Sequence, residues 1–195
     1  MSKSSRPAGP VSWTLTRVDG KIASVSNGYK GALRALESLV HAPYSLYSHV
    51  SCDKVSTEEL FAISARTRWE DLLLFGTLFR KRVWKALFDL THGENAYPRI
   101  LSYSEFAEIV GEPRGVRSVA SAVGNNPVPV IIPCHLIIPK ESLDKLRMLE
   151  RENGLFSWHA LYVMDSSVDY GEYSAEGASA KDIKRDLIHR QFAEA

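Results

Sequence analysis

A cysteine followed directly by a histidine lies within the longest apolar stretch of the chain, residues 128–139. Pro133, Cys134 and His135 follow a run of valines and isoleucines. A thiolate with a histidine within reach, directly or through one water, is a good nucleophile. A cysteine in apolar surroundings is nevertheless more often an inert packing residue, and neighbouring side chains of an extended segment point in opposite directions. The motif by itself leaves both interpretations open.

Two short helices are predicted just before this motif, over 104–110 and 116–123, with a turn between Gly111 and Gly115. These are the dimensions of a helix-turn-helix. The second helix has one long cation, Arg117, and otherwise small polar or apolar side chains that include Ser118, Ala120, Ser121, Ala122 and Gly124. Small side chains let a helix approach a nucleic-acid groove closely. Small side chains also suit a helix that is packed in a core. The spacing of the two helices by itself favours this core-packing interpretation.

Composition excludes several classes of protein. Of 195 residues, 45% are hydrophobic and 24% charged, which is typical of one globular domain or two small ones and not of disorder or collagen. Cys52 and Cys134 are the two cysteines, so no disulfide framework is expected and a reducing, intracellular compartment is favoured. The net charge of +1 indicates no partner by itself. Neither a membrane-spanning helix nor a secretory signal is expected.

Hydrophobic periodicity and turn residues predict the elements that position these motifs. A hairpin is expected from strands over 13–18 and 21–25, joined at Asp19-Gly20. Helices are predicted over 29–40, 57–75, 79–90, 142–153 and 181–192. A change of element type places a domain boundary near residues 75–80.

Four segments together resemble the 6-O-alkylguanine-DNA alkyltransferases, the methylated-DNA–protein-cysteine methyltransferases. They are Phe79–Leu87, Leu101–Ala107, Gly111–Arg117 and Gly124–His135. The last is the most specific, because an asparagine-proline pair, a hydrophobic run and proline-cysteine-histidine form the active-site signature of that family. The resemblance is firm over Phe79–Ile138 and weaker over the C-terminal helix. Over the first 75 residues only the position and size of the segment match.

The resemblance implies a two-domain α/β fold. Residues 1–75 would form an RNase-H-like α/β domain. Residues 76–195 would form a mostly helical, winged-helix-like domain with the helix-turn-helix and the active site. A charged insertion over 139–168 separates the cysteine from the C-terminal helix.

The resemblance also implies roles for individual residues. Cys134 corresponds to the alkyl-accepting cysteine, and His135 to the histidine that relays its proton. Asn126 corresponds to the asparagine hinge beside the active site. Tyr103 corresponds to the tyrosine that helps to rotate the nucleotide, and Arg117 to the arginine that fills the gap left by the flipped base.

Further residues follow from the same resemblance. Tyr173 and Ser174 correspond to a lid over the substrate pocket, to which Ile137 would also belong. DNA contacts are expected from Arg114, Ser118 and Ser121. Gln191 stands where the family has a glutamate in the histidine relay, and Leu136 where it usually has an arginine.

The expected function is therefore DNA repair by single-turnover transfer of an alkyl group to Cys134. The expected partner is double-stranded DNA, bound through the minor groove by a monomer in the cytoplasm or nucleus. No cofactor is expected, and a single N-terminal cysteine, Cys52, argues against the zinc site of some relatives. Two alternatives stay open: a lesion-binding protein without transfer activity, and a helix-turn-helix regulator of DNA.

Overall fold

A computed structural model describes residues 11–27, 49–93, 96, 98–153, 168–171 and 180–193. The helix predicted over 29–40 and the lid residues Tyr173 and Ser174 lie outside the described residues. Within the described part, no helix combines the length and the apolar character needed to cross a membrane.

The N-terminal segment forms an antiparallel sheet in the order β2-β1-β3, with β1 Ser12–Val18, β2 Lys21–Ser26 and β3 Val50–Ser56. The predicted hairpin is confirmed. Asp19 and Gly20 both have positive φ, as a tight turn between twisted strands requires. Strand β3 was not predicted from the sequence.

Helix α1, Thr57–Ser64, begins with a capping box in which Ser56 and Glu59 satisfy each other's backbone amides. The prediction of a helix over 57–75 is wrong beyond Ser64. There the Thr67 hydroxyl donates to the Ile63 carbonyl, and an Asp71 carboxylate oxygen accepts from the Arg68 amide. Such side-chain bonds give the backbone an alternative to the helix. A 3₁₀ turn, Trp69–Asp71, follows.

Helix α2, Leu78–Asp89, starts at the N-cap Thr77 and buries one face against α4, Val116–Gly124. The Trp84 indole fixes this packing, because its Nε1 donates to the Ala122 carbonyl over 2.8 Å. Along the sequence, the two-residue strand β4, Leu101–Ser102, and helix α3, Tyr103–Ile109, lie between α2 and α4. The short helices and the turn of the predicted helix-turn-helix are therefore present.

Strand β5, Ile137–Ile138, follows the cysteine turn directly and pairs in parallel with β4. Helix α5, Lys140–Asn153, continues from it, and helix α6, Ala180–Ala193, is the last described element. One hydrophobic cluster joins the N-terminal sheet to α2, α4 and the segment around residue 131. A second cluster holds α5 against β5 and α6. The fold is thus mixed α/β, and β4-β5 connects the cysteine segment to the start of α3.

Candidate active site and DNA-binding surface

Cys134 begins a 3₁₀ turn, Cys134–Leu136, and is partly buried. The side-chain amide of Asn126 donates to its Sγ over 3.1 Å. A thiolate accepts hydrogen bonds more strongly than a thiol, so this donor favours the ionised, nucleophilic sulfur. Neither Cys134 nor Cys52 forms a disulfide.

Asn126 also organises the loop that leads to the cysteine. Its Oδ1 accepts from the Val128 amide over 3.1 Å, and its Nδ2 donates to the Ile132 carbonyl over 2.7 Å. Between these contacts Val130 has a φ of 74°, in the left-handed region that a β-branched residue rarely adopts. Such strain persists only where the surroundings enforce it. Asn126 therefore connects the end of α4 to a constrained loop and to the sulfur.

His135 is completely buried, and its ring meets Phe61 of α1 edge-on with centroids 6.3 Å apart. Burial lowers the pKa of His135 to about 3, and Lys184 lowers it further, whereas the side chain of Gln191 acts in the opposite direction. Neither ring nitrogen completes a hydrogen bond of good geometry within the described part, so Gln191 faces the ring without a full bond to it. The imidazole is neutral at physiological pH.

Lys184 of α6 brings a buried cation to the site. Only 2% of the residue is exposed, and its Nζ donates to the Ile137 carbonyl over 2.8 Å. Burial lowers the pKa of Lys184 to about 8, against the opposing attraction of Cys134 and Asp169. Lys184 belongs to the C-terminal helix, over which the family resemblance is weak, and it was not predicted as a site residue from the sequence. The feature of the sequence that could have identified it is a lysine on the apolar face of an amphipathic helix.

Tyr103 is the first residue of α3, and its ring centroid lies 6.0 Å from the Nζ of Lys184. Burial raises the pKa of Tyr103, and the nearby charge of Cys134 raises it further. The phenol therefore keeps its proton and remains a donor. Ile137, expected at the pocket, has its side chain in the core, and its carbonyl is taken by Lys184.

Of the small residues of α4, Ser118, Ser121 and Gly124 lie on its solvent face, whereas Ala122 is buried. Arg117, Ser118 and Ser121 are exposed, whereas the opposite face is buried against α2 and α3. Arg114 is exposed in the preceding turn. The core-packing alternative therefore does not account for these residues. A bare helix face with one long cation suits close contact with a polyanion.

A groove of about 300 Å³ runs between α2 and α4 beside this face. Its lining residues are Thr77, Phe79, Arg80, Arg117, Ser118, Ser121 and Ala122. Two other cations of α2 are engaged elsewhere, since Arg82 pairs with Glu112 and Lys85 lies 2.6 Å from Asp89. Arg80 and Arg117 are thus the cations that line this groove.

The structure brings Cys134, Asn126, His135, Tyr103 and Gln191 into one region. The residues expected to contact DNA, Arg114, Arg117, Ser118 and Ser121, form a separate exposed surface on the helix-turn-helix.

Comparison with known proteins agrees with this arrangement. Residues 78–153 match the family model described as 6-O-methylguanine DNA methyltransferase, DNA binding domain. A methylated-DNA–protein-cysteine methyltransferase of Mycobacterium tuberculosis is 44% identical over 68 residues, 35% of this chain and 38% of that protein. A probable methylated-DNA–protein-cysteine methyltransferase of Acanthamoeba polyphaga mimivirus is 40% identical over 72 residues, 37% of this chain and 45% of that protein. The chain thus spans less than half the length of these two relatives.

A solved structure supports the fold over a longer stretch. A single-substitution variant of the M. tuberculosis 6-O-methylguanine methyltransferase aligns with a TM-score of 0.52 at 21% identity, covering 94% of this chain and 87% of that one. This likeness concerns the fold alone. The helix-turn-helix surface and the cysteine turn both lie within residues 78–153, the segment that is similar to the DNA-binding domain of the 6-O-methylguanine DNA methyltransferases.

Proposed function

We propose that this chain repairs DNA by transferring the alkyl group of a 6-O-alkylguanine to the Sγ of Cys134, once per molecule. The observation that carries the proposal is the hydrogen bond from Asn126 to Sγ, because it prepares a partly buried sulfur for nucleophilic attack. The family match over 78–153 supplies the class of substrate.

The chemistry is a direct displacement at carbon. The thiolate of Cys134 attacks the alkyl carbon, a carbon–sulfur bond forms, and the carbon–oxygen bond breaks with its electron pair left on guanine. A proton from a nearby donor neutralises the guanine, and Tyr103 is suited to this because its phenol stays protonated. Water does not cleave the thioether product, so each molecule acts once.

The proton of the Cys134 thiol must first leave the sulfur. In our proposal the neutral imidazole of His135 accepts it only transiently, directly or through one water, because a pKa of about 3 disfavours the imidazolium, and Gln191 orients the ring. The buried ammonium of Lys184 stabilises the negative charge that remains.

In this proposal the exposed face of α4 binds duplex DNA in the minor groove. The protein binds as a monomer. Arg117 enters the stack when the damaged nucleotide is flipped out, while Arg114, Ser118 and Ser121 contact the backbone. Extrusion of a base costs a few kcal/mol, and phosphate contacts offset it. Exposure of the α4 face supports this assignment.

We further propose the domain division that the family resemblance implies. Residues 1–75 form an RNase-H-like α/β domain, and residues 76–195 form a winged-helix-like domain with an insertion over 139–168. The antiparallel sheet β2-β1-β3 and the helix-turn-helix support this division.

The test is incubation with duplex DNA that contains 6-O-methylguanine, followed by the intact mass of the protein. We expect one methyl group per molecule, located on the peptide that contains Cys134. A Cys134→Ser variant loses the transfer and keeps DNA affinity. A Cys52→Ser variant is the matched control and keeps the transfer, since Cys52 is exposed on β3.

The alternatives give different results in the same experiment. Tight binding of the lesion without mass gain indicates a lesion-binding protein. Strong preference for one undamaged sequence, again without mass gain, indicates a regulator. Either result overturns the proposed transfer.

A further inference from the structure

Helix α5 lies in the charged insertion and sends one side chain to the start of α3. The Nη1 atom of Arg147 lies 2.8 Å from Oε1 of Glu105. The helix that carries Arg147 is fixed by Leu143 and Leu146, which are buried in the second hydrophobic cluster together with Ile138. Arg147 therefore reaches Glu105 from a rigid support.

Glu105 closes the N-terminal cap of α3. Its Oε2 accepts from the amide of Ser102 over 2.9 Å and from the Ser102 hydroxyl over 3.1 Å. The Ser102 Oγ accepts in turn from the Glu105 amide over 3.2 Å. Burial opposes the ionisation of Glu105, but the hydrogen bonds from Ser102 and Arg147 outweigh it and hold its pKa below the ordinary value. One carboxylate thus serves the cap with one oxygen and Arg147 with the other.

The residue that follows the N-cap Ser102 is Tyr103, whose phenol lies near Cys134 and Lys184. Ser102 is also the strand residue that pairs with Ile138 of β5, two peptide units after the cysteine turn. The position of Tyr103 relative to Cys134 is therefore set by one short strand pair and one cap.

We infer that Arg147 is a positioning residue, which fixes the orientation of Glu105 and through the cap of α3 holds Tyr103 against the reactive centre. This role rests on the alkyl transfer proposed above. A displacement of a reacting group by a fraction of an ångström lowers a rate severalfold. The insertion would thus support the geometry of the active site.

The experiment measures the single-turnover rate of methyl transfer from duplex DNA in the wild type and five variants. For Arg147→Met we expect a roughly threefold to tenfold loss of rate, whereas Arg147→Lys restores most of it because an ammonium can still pair with Glu105. Arg151→Met is the matched control, an exposed arginine one turn further along the same helix. It leaves the rate unchanged.

The last two variants, Tyr103→Phe with and without Arg147→Met, separate positioning from general stability. In a Tyr103→Phe background, Arg147→Met should lower the rate no further, while its effect on melting temperature stays the same as in the wild type. An equal loss of rate in both backgrounds overturns the inference, since Arg147 would then act independently of the Tyr103 hydroxyl.

Hydrogen exchange gives a readout that does not need activity. In Arg147→Met the amides of Ser102 and Glu105, which the cap protects, should exchange at least about threefold faster, with the amides of α4 unchanged. If the wild type transfers no methyl group, the proposed function fails, and exchange at these two amides still decides the role of Arg147. Unchanged exchange there overturns it.

Discussion

The side-chain amide of Asn126 joins the sulfur of Cys134 to the backbone of the loop that precedes it. One Nδ2 atom donates both to Sγ over 3.1 Å and to the Ile132 carbonyl over 2.7 Å. The state of the sulfur and the shape of the loop are therefore coupled through one residue. A change at Asn126 must affect both stability and reactivity.

Replacement of Asn126 by alanine removes these two contacts and the bond from the Val128 amide. We expect a loss of about 2 kcal/mol in the free energy of unfolding, because polar groups of the loop lose their partners. The methyl-transfer rate should fall at least about tenfold, since one donor to an ionised reacting atom is commonly worth that much. Urea unfolding and single-turnover kinetics measure the two effects.

The matched control is the neighbouring Asn125→Ala. Asn125 is exposed, and its side-chain amide donates to the Ser121 carbonyl. Its substitution should change stability by less than about 0.5 kcal/mol and leave the rate intact. Equal behaviour of both variants would contradict the coupling described above.

Acid should destabilise the protein through His135. The pKa of the buried imidazole is about 3, whereas its ordinary value is 6.5, so the unfolded chain binds this proton first as the pH falls. The stability contributed by His135 is therefore present above pH 6.5 and lost progressively toward pH 3, at no more than about 1.4 kcal/mol per pH unit. The difference between the free energies of unfolding of the wild type and of the His135→Asn variant should show this slope. A flat difference between pH 6.5 and 3 would refute it.

Much of the outline was accessible from the sequence because local signals coincide with tertiary ones. The Asp19-Gly20 turn fixed the hairpin, and the apolar face of 79–90 gave α2 within a residue at each end. Strand β3 was missed because three consecutive residues, Cys52, Asp53 and Lys54, are exposed on a strand that pairs with β1, so the strand lacks the apolar alternation of a half-buried strand.

Some site residues were predicted and others were not, because only some of their contacts are local in the sequence. Asn126 and Cys134 are eight residues apart, so a local motif carries their relationship. The burial of Lys184 depends on how α6 packs, and the pairing of Arg147 with Glu105 spans 42 residues. Neither relationship has a local signal, although Ser102 and Glu105 have the spacing of a capping box.

Alkaline pH should reveal the buried ammonium of Lys184. Its pKa is about 8 in the folded chain and 10.5 in the reference state, so the unfolded chain binds more protons between these values. The contribution of Lys184 to stability should therefore rise with pH from about 8 to 10.5. Lys184→Met removes this dependence, and the difference from wild type in urea unfolding measures it. The absence of any such rise would show that burial does not lower the pKa of Lys184.

DNA binding should tolerate a small substitution on the outer face of α4 and reject a large one. Ser121 is exposed beside Arg117 and lines the groove between α2 and α4. Ser121→Leu should leave the free energy of unfolding within about 0.5 kcal/mol of wild type, yet weaken duplex binding about tenfold or more, because the added bulk holds the helix away from the groove of DNA.

Ser121→Ala is the size-matched control and should bind within about twofold of wild type, since at most one hydrogen bond to the backbone is lost. Fluorescence anisotropy with a labelled duplex at several salt concentrations measures both variants. Arg117→Ala, in contrast, should also reduce the salt dependence of binding, by a log–log slope of about one if Arg117 neutralises one phosphate. Equal affinities of Ser121→Leu and Ser121→Ala would show that DNA approaches the protein from another side.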